Sequence, residues 1–550
     1  MLLPEAELKN NWYSFLKSIL VLFSVHIVFL YFSGYFNIGL LSDDFLNFIS
    51  AQSSDFADKI TSSVPYYNKF HFRPLWFLSI NLSIFLSSVF FPSGNNFVFF
   101  RIENLFWFYL LILISTGLLN KITGSKKPPL IFALTCLLFS NNLLNICWTA
   151  GKADLICAVF ILSALSMTYK YISNVNFTNF ISVLLLFSAS LMTKETSVTF
   201  PLISIVFFSI FYGRSILKNI RTLLIYEFAI LSAYIFLKIF IIKNSPSEVI
   251  TAFQNPGIKS IFDISFKAIL SLLFPFDYLT LQYGLLTGNP QLIIYLIIIS
   301  ALVLYILYLS IKNNEVKSII LISALFIILI IPNYIGGYFR PQLILIPFVI
   351  FNLALFIIFN KLKTDSKFLK TVLLFTFVIW IMTSFNMIKD WEYATELTKK
   401  DISIMCEKKF DLSNNKKTYI IGLPSRYNQT FLLNYVSGPY NYICNGEFRL
   451  TDNITDIIHT GALDKNSLNS DLKINTISRN EFEIETTGTT QYLLKLDLIN
   501  TEFSDNDAEI KFSGMNSFGK PTKATVKFIQ NNSDVYLFRN NKLTLLNQDL

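Results

Sequence analysis

Two adjacent carboxylates, Asp43 and Asp44, directly follow the first apolar run of the sequence. Adjacent carboxylates repel each other, so the pKa of one of them can be raised. A carboxylate beside a reacting hydroxyl can act as a general base. The same residues could instead cap a helix that begins at this point. Base catalysis and helix capping therefore both stay open for this pair.

A second set of ionisable residues falls at the ends of later apolar runs. Arg binds a phosphate through a bidentate fork, and Lys binds it as a point charge. Ionisable groups at the edge of a bilayer are costly unless they face water or a partner, so the set is a candidate site. Each residue could also be an interfacial anchor or belong to a local ion pair. The candidates for binding a donor phosphate or an acceptor are His71, Arg73, Lys152, Asp154, Lys194, Glu195 and Arg340.

The composition of the chain points to lipid as its main solvent. Of the 550 residues 53% are hydrophobic and only 15% are charged, with 56 Phe and 26 Tyr. An ordinary globular chain is about 25% charged. This excludes a disordered chain, a fibrous chain, a disulfide-stapled mini-protein and a typical cytosolic enzyme.

The charge is unevenly distributed along the sequence. Residues 390–550 hold 18 Lys or Arg and 21 Asp or Glu, whereas residues 1–389 hold 27 and 15. The basic character therefore belongs to the apolar part, where basic residues collect in cytoplasmic loops. A nucleic-acid-binding protein would need a basic face on a soluble domain, and no such face is indicated.

The apolar runs predict a mainly α, polytopic bundle of about 11–13 membrane spans, because a spanning helix needs about 20 mostly apolar residues. The first run lacks a small-residue cleavage site and resembles an uncleaved anchor. The runs are 14–38, 75–91, 96–120, 129–147, 150–169, 177–193, 196–212, 222–242, 290–311, 318–335, 340–360 and 368–389, with a weaker one at 261–275.

Lys and Arg in the short loops predict the orientation of these spans. If the basic clusters are cytoplasmic, the amino terminus lies inside and the carboxyl terminus outside. The run 261–275 would then lie on the membrane, and either 75–91 or 96–120 would be interfacial. The prediction is a multi-pass protein of the cell inner or plasma membrane, with its candidate site on the outer face.

The loop 42–74 predicts one amphipathic helix lying in the membrane interface. Phe45, Phe48, Ile49, Phe56 and Ile60 recur there at roughly helical spacing, as expected for such a helix. Proline at position 65 would end it.

Residues 390–550 predict a small, mostly β domain outside the membrane, following a membrane domain over 1–389. Residues 391–407 have helical spacing, and the stretches 417–421, 480–485, 492–496 and 524–528 alternate or are β-branched, as strands are. The five Cys have no metal-ligand spacing. Cys406 and Cys444 could form a disulfide if the domain is exported.

A series of motifs resembles the GT-C class of integral-membrane glycosyltransferases. The resemblance covers about residues 14–360 and is closest to protein O-mannosyltransferase-like enzymes and to the membrane half of tetratricopeptide-containing transmembrane O-mannosyltransferases. The motifs are Asp43-Asp44-Phe45, Phe72-Arg73-Pro74-Leu75, Arg101-Ile102-Glu103-Asn104-Leu105, Trp148-Thr149-Ala150-Gly151-Lys152-Ala153-Asp154-Leu155, Thr193-Lys194-Glu195-Thr196 and Pro201.

The resemblance implies a GT-C fold and inverting transfer of a sugar from a polyprenyl monophosphate to a hydroxyl on the outer face. Asp43 or Asp44 would be the base, and Arg73, Lys194 and Arg340 would hold the leaving phosphate. The implied partners are this donor, a glycan or protein acceptor and membrane lipid. A divalent cation is a possible cofactor, because metal dependence varies in the class. The stretch Ser140–Asn145 lacks the family's His-Pro and Glu, and no tetratricopeptide repeat follows, so the sugar and the acceptor stay open.

Two other activities fit the same residues. One is a transporter or flippase of a lipid-linked anion, for which charges deep within spans are expected. Glu227 and Lys238 are the best such candidates, and both fall near the ends of predicted spans. The other is a glycan polymerase or ligase that uses a lipid pyrophosphate donor.

Overall fold

The computed structural model of the protein has helices in its amino-terminal two thirds and two β-sheets towards its carboxyl end. It divides into two compact units. The first comprises Met1–Phe36, Ser54–Phe276 and Pro290–Ile388, and the second comprises Asn37–Ser53, Asp277–Asn289 and Lys389–Leu550. The structure describes residues 5–61, 72–91, 97–124, 127–213, 216–243, 258–275, 278–313, 315–335, 339, 341–362, 367–408, 417–427, 430–432, 437–445, 454–468, 470–478, 480–494, 502–504, 508–517, 520–529, 534–539 and 542–546.

Helices make up the first unit, and the last of them continues into the second. In chain order the helices of the apolar part are α1 (Glu5–Ser33), α2 (Asp43–Ser53), α3 (Phe56–Thr61), α4 (Pro74–Phe90), α5 (Phe97–Thr123), α6 (Lys127–Leu138), α7 (Ser140–Cys147), α8 (Lys152–Ser173), α9 (Phe177–Thr193), α10 (Phe200–Tyr212), α11 (Ile216–Lys243), α12 (Ile258–Leu273), α13 (Tyr278–Leu286), α14 (Pro290–Lys312), α15 (Val316–Ile335), α16 (Leu345–Leu362) and α17 (Lys367–Lys408). Helices α2 and α13 belong to the second unit.

The mainly α membrane bundle predicted from the sequence is confirmed, with fewer full-length spans than expected. Within the described ranges, nine helices are long and apolar enough to cross a membrane, or up to ten if α6 and α7 count as one span bent by 62°. Helices α4 and α9 have 17 residues each, and α12 has 16. They are shorter than the roughly 20 residues that a span needs, which lowers the count from the predicted 11–13.

The first turns of helix α8 are enclosed within the first unit. Helix α8 packs against α5, α9 and α16, and every residue from Gly151 to Val159 is buried. A helix that is covered on all sides can hold charged residues only if partners meet them inside the bundle. Lys152 and Asp154 lie in this stretch, so their surroundings define the polar interior of the unit.

The interfacial helix predicted within the loop 42–74, before Pro65, is wrong as a single element. Two helices, α2 and α3, form instead, because the carboxylate of Asp55 accepts a hydrogen bond from the Asp58 backbone N–H at 2.8 Å and starts a new helix. Helix α2 buries Phe45 and Phe48. Helix α3 exposes its apolar side chains, with Phe56 66% accessible. Beyond residue 61 the predicted helix lies outside the described residues.

The predicted β domain is confirmed as two sheets with three helical segments. The order of strands in the first sheet is β11-β10-β1-β3-β6, with β2 paired to β1, and in the second it is β4-β5-β9-β8-β7. The predicted strands correspond to β1, β5, β6 and β9, and the predicted helix 391–407 is the end of α17. The elements are β1 (Thr418–Tyr427), β2 (Thr430–Phe431), α18 (Ser437–Asn445), β3 (Ile454–Ala462), α19 (Lys465–Leu468), β4 (Leu472–Ser478), β5 (Glu481–Thr486), β6 (Tyr492–Leu494), β7 (Glu502–Ser504), β8 (Ala508–Met515), β9 (Pro521–Phe528), β10 (Asp534–Arg539) and β11 (Lys542–Leu545).

Both faces of the first sheet are covered. One face packs against the second sheet through a core that includes Ile421, Phe482 and Val526, as in a β-sandwich. The other face packs against the end of α17, where Ile402 and Met405 share an apolar cluster with residues of β1, β3, β10 and α18. The second unit therefore has a hydrophobic core of its own.

A disulfide joins Cys406 at the end of α17 to Cys444 in α18. This confirms the predicted pairing. The bond closes a chain segment with a sequence separation of 38 residues, which limits the freedom of the unfolded chain.

We expect Cys406→Ser to lower the free energy of unfolding of the second unit by about 4 kcal/mol, the loop-closure value for a segment of this length. Thermal unfolding in detergent, with and without a reductant, measures the effect. Cys136→Ser is the matched control because that thiol is buried but forms no disulfide. A wild-type protein whose unfolding temperature is unchanged by full reduction would contradict this expectation.

Candidate active site

Asp43 and Asp44 lie in one turn but differ in burial and in hydrogen-bond partners. Asp44 is 1% exposed, and its Oδ2 accepts a hydrogen bond from the Leu41 backbone N–H at 3.0 Å. The Asp44 backbone N–H donates in return to the Leu41 carbonyl oxygen at 3.1 Å. Asp43 is half-buried and accepts from the Ser42 hydroxyl at 3.3 Å. The Asp44 carboxylate therefore closes the turn before α2, as the capping interpretation expects, while the Asp43 carboxylate is the more accessible of the two.

Backbone strain marks the same turn. Ser42 has a φ of +54° and is the non-glycine residue with a positive φ in the described part of the chain. Such conformations cost about 1–3 kcal/mol and persist where the surrounding structure enforces them. Here the Ser42 N–H donates to the Leu432 carbonyl oxygen at 3.0 Å, and the Gly39 N–H donates to Thr395 Oγ1 at 3.0 Å. The turn is thus held by α17 and by the strand pair β1–β2 of its own unit.

In the first unit, one carboxylate lies between two cations. Both Nε and Nη2 of Arg73 donate to Glu195 Oε2, at 2.9 and 2.6 Å. Lys238 Nζ of α11 lies 3.9 Å from the other carboxylate oxygen. Arg73 directly precedes Pro74, the first residue of α4, a position in which proline fixes the helix start. We call Arg73, Glu195 and Lys238 the cationic triad.

A second ion pair lies one residue from the triad. Lys194 Nζ donates to Asp154 Oδ2 at 2.6 Å, and both side chains are at most 10% accessible. Lys194 caps the carboxyl end of α9 in an extended conformation. Its side chain and that of Glu195 therefore leave the chain in different directions and reach α8 and α4 separately.

A third ion pair lies further along α4. Lys152 Nζ donates to both carboxylate oxygens of Glu103, at 3.1 and 3.3 Å, and also to the Ser83 hydroxyl. The ring of Trp76 lies 5.9 Å from the same nitrogen, within cation–π distance. Arg73 and Ser83 are ten residues apart at the start and in the middle of α4, which corresponds to about 15 Å along a helix. The three pairs thus form a connected polar strip inside the unit.

The Arg101–Leu105 motif positions the start of α8. Arg101 is fully buried and donates to Thr149 Oγ1 at 3.0 Å, and Asn104 Nδ2 donates to the Trp148 carbonyl oxygen at 3.0 Å. A Cβ at Gly151 would lie 2.7 Å from the Asn145 carbonyl oxygen, which explains why this motif position is glycine. These contacts fix the short non-α-helical segment between α7 and α8, after which Lys152 and Asp154 lie in the interior of the unit.

The structure brings five of the predicted site residues into this polar strip. Asp43 and Asp44 belong to the second unit, and His71 and Arg340 lie outside the described residues. The residues in the strip are Arg73, Lys152, Asp154, Lys194 and Glu195. Glu103, Arg101 and Asn104 were not predicted as site residues, although all three belong to a motif that the sequence displays.

Two cations of the strip meet at one carboxylate. Lys152 pairs with Glu103 and Lys194 with Asp154, whereas Glu195 is shared by Arg73 and Lys238. The three side chains of the triad are thus two cations and one anion. Away from water a cation attracts an anion strongly, and an Arg-plus-Lys pair suits a phosphate group.

The prediction that Glu227 lies near the end of a span is wrong. The span that contains it extends over Lys218–Phe240, so Glu227 lies near its middle. The side chain is fully buried, and neither carboxylate oxygen has a hydrogen-bond partner. The error arises because α11 begins before the apolar run, with polar residues in its first turns.

Within the described ranges, no group of three or more His, Cys, Asp or Glu side chains is placed to hold a metal ion. A divalent cation at the site therefore stays a prediction.

Two solved structures of membrane glycosyltransferases of the GT-C class are similar to the chain. One is ArnT from Cupriavidus metallidurans bound to undecaprenyl phosphate, with 10% identity, a TM-score of 0.45 and coverage of 86% of this chain and 97% of that one. The other is the Archaeoglobus fulgidus oligosaccharyltransferase in complex with Zn and sulfate, with 12% identity, a TM-score of 0.38 and coverage of 80% and 68%. No protein-family model matches the sequence, and no curated protein matches it.

We expect Glu103→Gln to destabilise the first unit by about 3–5 kcal/mol, because Lys152 would be left as a buried charge without a counter-charge. Equilibrium unfolding in detergent measures the loss. The double variant Glu103→Gln with Lys152→Met should recover most of it, since both charges are then removed. Glu396→Gln, on the exposed side of α17, is the control. Equal stability of the Glu103 and Glu396 variants would show that this ion pair does not hold the unit together.

Proposed function

We propose that the protein is an inverting glycosyltransferase that moves a sugar from a polyprenyl-phosphate donor to an acceptor hydroxyl. The observation that supports this most is the cationic triad, in which Arg73 and Lys238 converge on the carboxylate of Glu195 inside a membrane bundle. A long isoprenoid chain suits the surrounding apolar helices, and its phosphate suits the triad. The GT-C motifs of the sequence supply the reaction class.

In the proposed reaction, the acceptor oxygen forms a bond to the anomeric carbon of the sugar as the bond from that carbon to the phosphate oxygen breaks. The phosphate leaves with the bonding electron pair, and its growing negative charge is stabilised by Arg73 and Lys238. The acceptor proton passes to a carboxylate. A single displacement of this kind inverts the anomeric configuration.

We assign the base to Asp43 and a positioning role to Asp44. Asp43 is half-buried and is the more accessible of the two carboxylates, which suits contact with a substrate hydroxyl. Asp44 is buried, and one of its oxygens is engaged by the Leu41 N–H. Lys194, Asp154, Lys152 and Glu103 support the triad by holding α4, α5, α8 and α9 together.

We further propose that the second unit and the transfer reaction lie outside the cytoplasm, at the inner or plasma membrane. The Cys406–Cys444 disulfide supports a location outside the cytoplasm, because disulfides persist in oxidising compartments. The acceptor is a glycan or a protein. Sugar transfer measured with EDTA, and with added Mg²⁺ or Mn²⁺, decides the dependence on a divalent cation.

We expect Asp43→Asn to reduce sugar transfer by at least about 100-fold, the usual contribution of a general base, while thermal stability stays unchanged. Transfer from a radiolabelled polyprenyl-phosphate sugar to the acceptor fraction of membranes is the measurement. Asp44→Asn should instead lower thermal stability, because the contact that closes the turn is weakened. Wild-type transfer by a folded variant with Asn at both positions would remove the proposed mechanism.

We expect Lys238→Gln to raise the KM for the donor by about tenfold, because one charged contact to a phosphate is worth about 1.4 kcal/mol or more. Binding of undecaprenyl phosphate, the lipid in the ArnT structure, gives an independent readout. Lys218→Gln, at the exposed start of the same helix, should leave both values unchanged. Equal donor affinity in the two variants would argue against phosphate binding at the triad.

A transporter or flippase of a lipid-linked anion is the second candidate. It is favoured by Glu227, a fully buried carboxylate in the middle of a span without a hydrogen-bond partner, since such groups often belong to transport pathways. Proteoliposomes separate the candidates: a transporter moves the labelled lipid between leaflets without an acceptor, whereas a transferase consumes it only when an acceptor is present.

A further inference from the structure

A cluster of buried polar groups without hydrogen-bond partners lies in the second unit. Asp401 of α17 is fully buried, and neither of its carboxylate oxygens has a hydrogen-bond partner. The hydroxyl oxygens of Thr398, Ser425 and Thr430 are also buried and have no partner. Buried polar atoms are nearly always hydrogen-bonded in folded proteins, so these four side chains, which come from α17, β1 and β2, require an explanation.

Two observations place this stretch of α17 alongside β1. Ile402 of α17 and Leu423 of β1 share one apolar cluster, and the rings of Tyr393 and Tyr427 are 5.6 Å apart. The helix therefore runs antiparallel to β1. Nine residues of helix and four of strand both span about 13 Å, so the two contacts are mutually consistent.

The polar residues lie between these two contacts. Thr398 and Asp401 are three residues apart and so share one side of the helix. They fall just before Ile402, opposite the stretch from Leu423 to Tyr427 in which Ser425 lies. Thr430 of β2 pairs with Tyr427, which brings its hydroxyl to the same end of β1. The four groups thus come from neighbouring stretches of α17, β1 and β2.

An ionised carboxylate here would be costly, because a buried charge without a partner loses several kcal/mol of solvation. The neighbouring Lys400 is exposed. A protonated carboxyl among three hydroxyls would be expected to hydrogen-bond to them, and no such bond is formed. Oxygens around a hard cation lie about 2.4 Å from it and so up to about 5 Å from one another, beyond hydrogen-bond distance.

We propose that Asp401, Thr398, Ser425 and Thr430 bind a monovalent hard cation, of which Na⁺ is the type. All the ligand atoms are oxygens, as hard cations prefer. One carboxylate neutralises one positive charge, whereas a divalent ion would leave a net charge in the buried site. This inference does not rest on the proposed sugar transfer.

The bound cation would link its four ligands to the turn that carries Asp43. The Gly39 N–H donates to Thr395 Oγ1, one turn of α17 before Thr398, and the Ser42 N–H donates to the Leu432 carbonyl, two residues after Thr430. An ion that ties α17 to β1 and β2 therefore also fixes both anchors of the turn. Loss of the ion should loosen the second unit around that turn.

The test is thermal unfolding of the full-length protein in detergent, with NaCl replacing choline chloride at constant ionic strength. We expect the unfolding temperature of the wild type to rise with Na⁺ concentration and to saturate, as for a ligand that binds only the folded state. Asp401→Asn should abolish this rise. Glu407→Gln, an exposed acidic residue of the same helix, is the matched control and should keep it.

Thr398→Val keeps the test valid if the Asp401 variant does not fold. It retains the carboxylate and removes one ligand, so the Na⁺ concentration for half the shift should rise by about tenfold or more. A wild-type unfolding temperature that is the same in both salts, or that depends on pH alone, would overturn the proposal. Stabilisation by Ca²⁺ or Mg²⁺ but not by Na⁺ would overturn the assignment of a monovalent ion.

Discussion

The need to pair charges inside an apolar bundle determines how the first unit is built. Helix α8 is covered on all sides at its start and yet carries Lys152 and Asp154. A charge in such a place persists only with a counter-charge and further hydrogen bonds. Lys152 therefore requires Glu103 of α5, and Asp154 requires Lys194 at the end of α9. The following Glu195 then meets Arg73 and Lys238, so that five helices are fixed against one another.

The same constraint bears on the proposed donor site. Lys152 and Lys194 pair with Glu103 and Asp154, and an added anion would compete with those carboxylates. In the cationic triad two cations, Arg73 and Lys238, converge on the carboxylate of Glu195. We therefore propose the triad as the place where the donor phosphate binds, because Arg and Lys together suit a phosphate group.

Several features could be predicted from the sequence because they depend on local pattern. Apolar runs predict the membrane helices, and alternating apolar and polar residues predict strands such as β5 and β9. The two Cys of the polar tail predict the disulfide. The division of residues 43–61 into α2 and α3 was missed because it depends on the single cap at Asp55. A helix-length pattern of apolar residues does not reveal where such a cap interrupts it.

The partners of the buried charges could not be derived from spacing. Glu103 and Lys152 are far apart in the sequence, and only packing of α5 against α8 brings them together. The Arg101–Leu105 motif contained the signal, since a Glu and an Arg inside an apolar run need partners. The cations were expected to be available to a phosphate, whereas in the structure each of Arg73, Lys152 and Lys194 is paired with a carboxylate.

The most direct measurement of the central claim is mass analysis of lipid-linked sugars in cells that lack the protein, compared with cells in which it is restored. A sugar transferase that uses a polyprenyl-monophosphate donor predicts that this donor accumulates without the protein and returns to its normal level on restoration. An unchanged pool of polyprenyl-phosphate sugars, or accumulation of a pyrophosphate-linked glycan instead, would contradict the account.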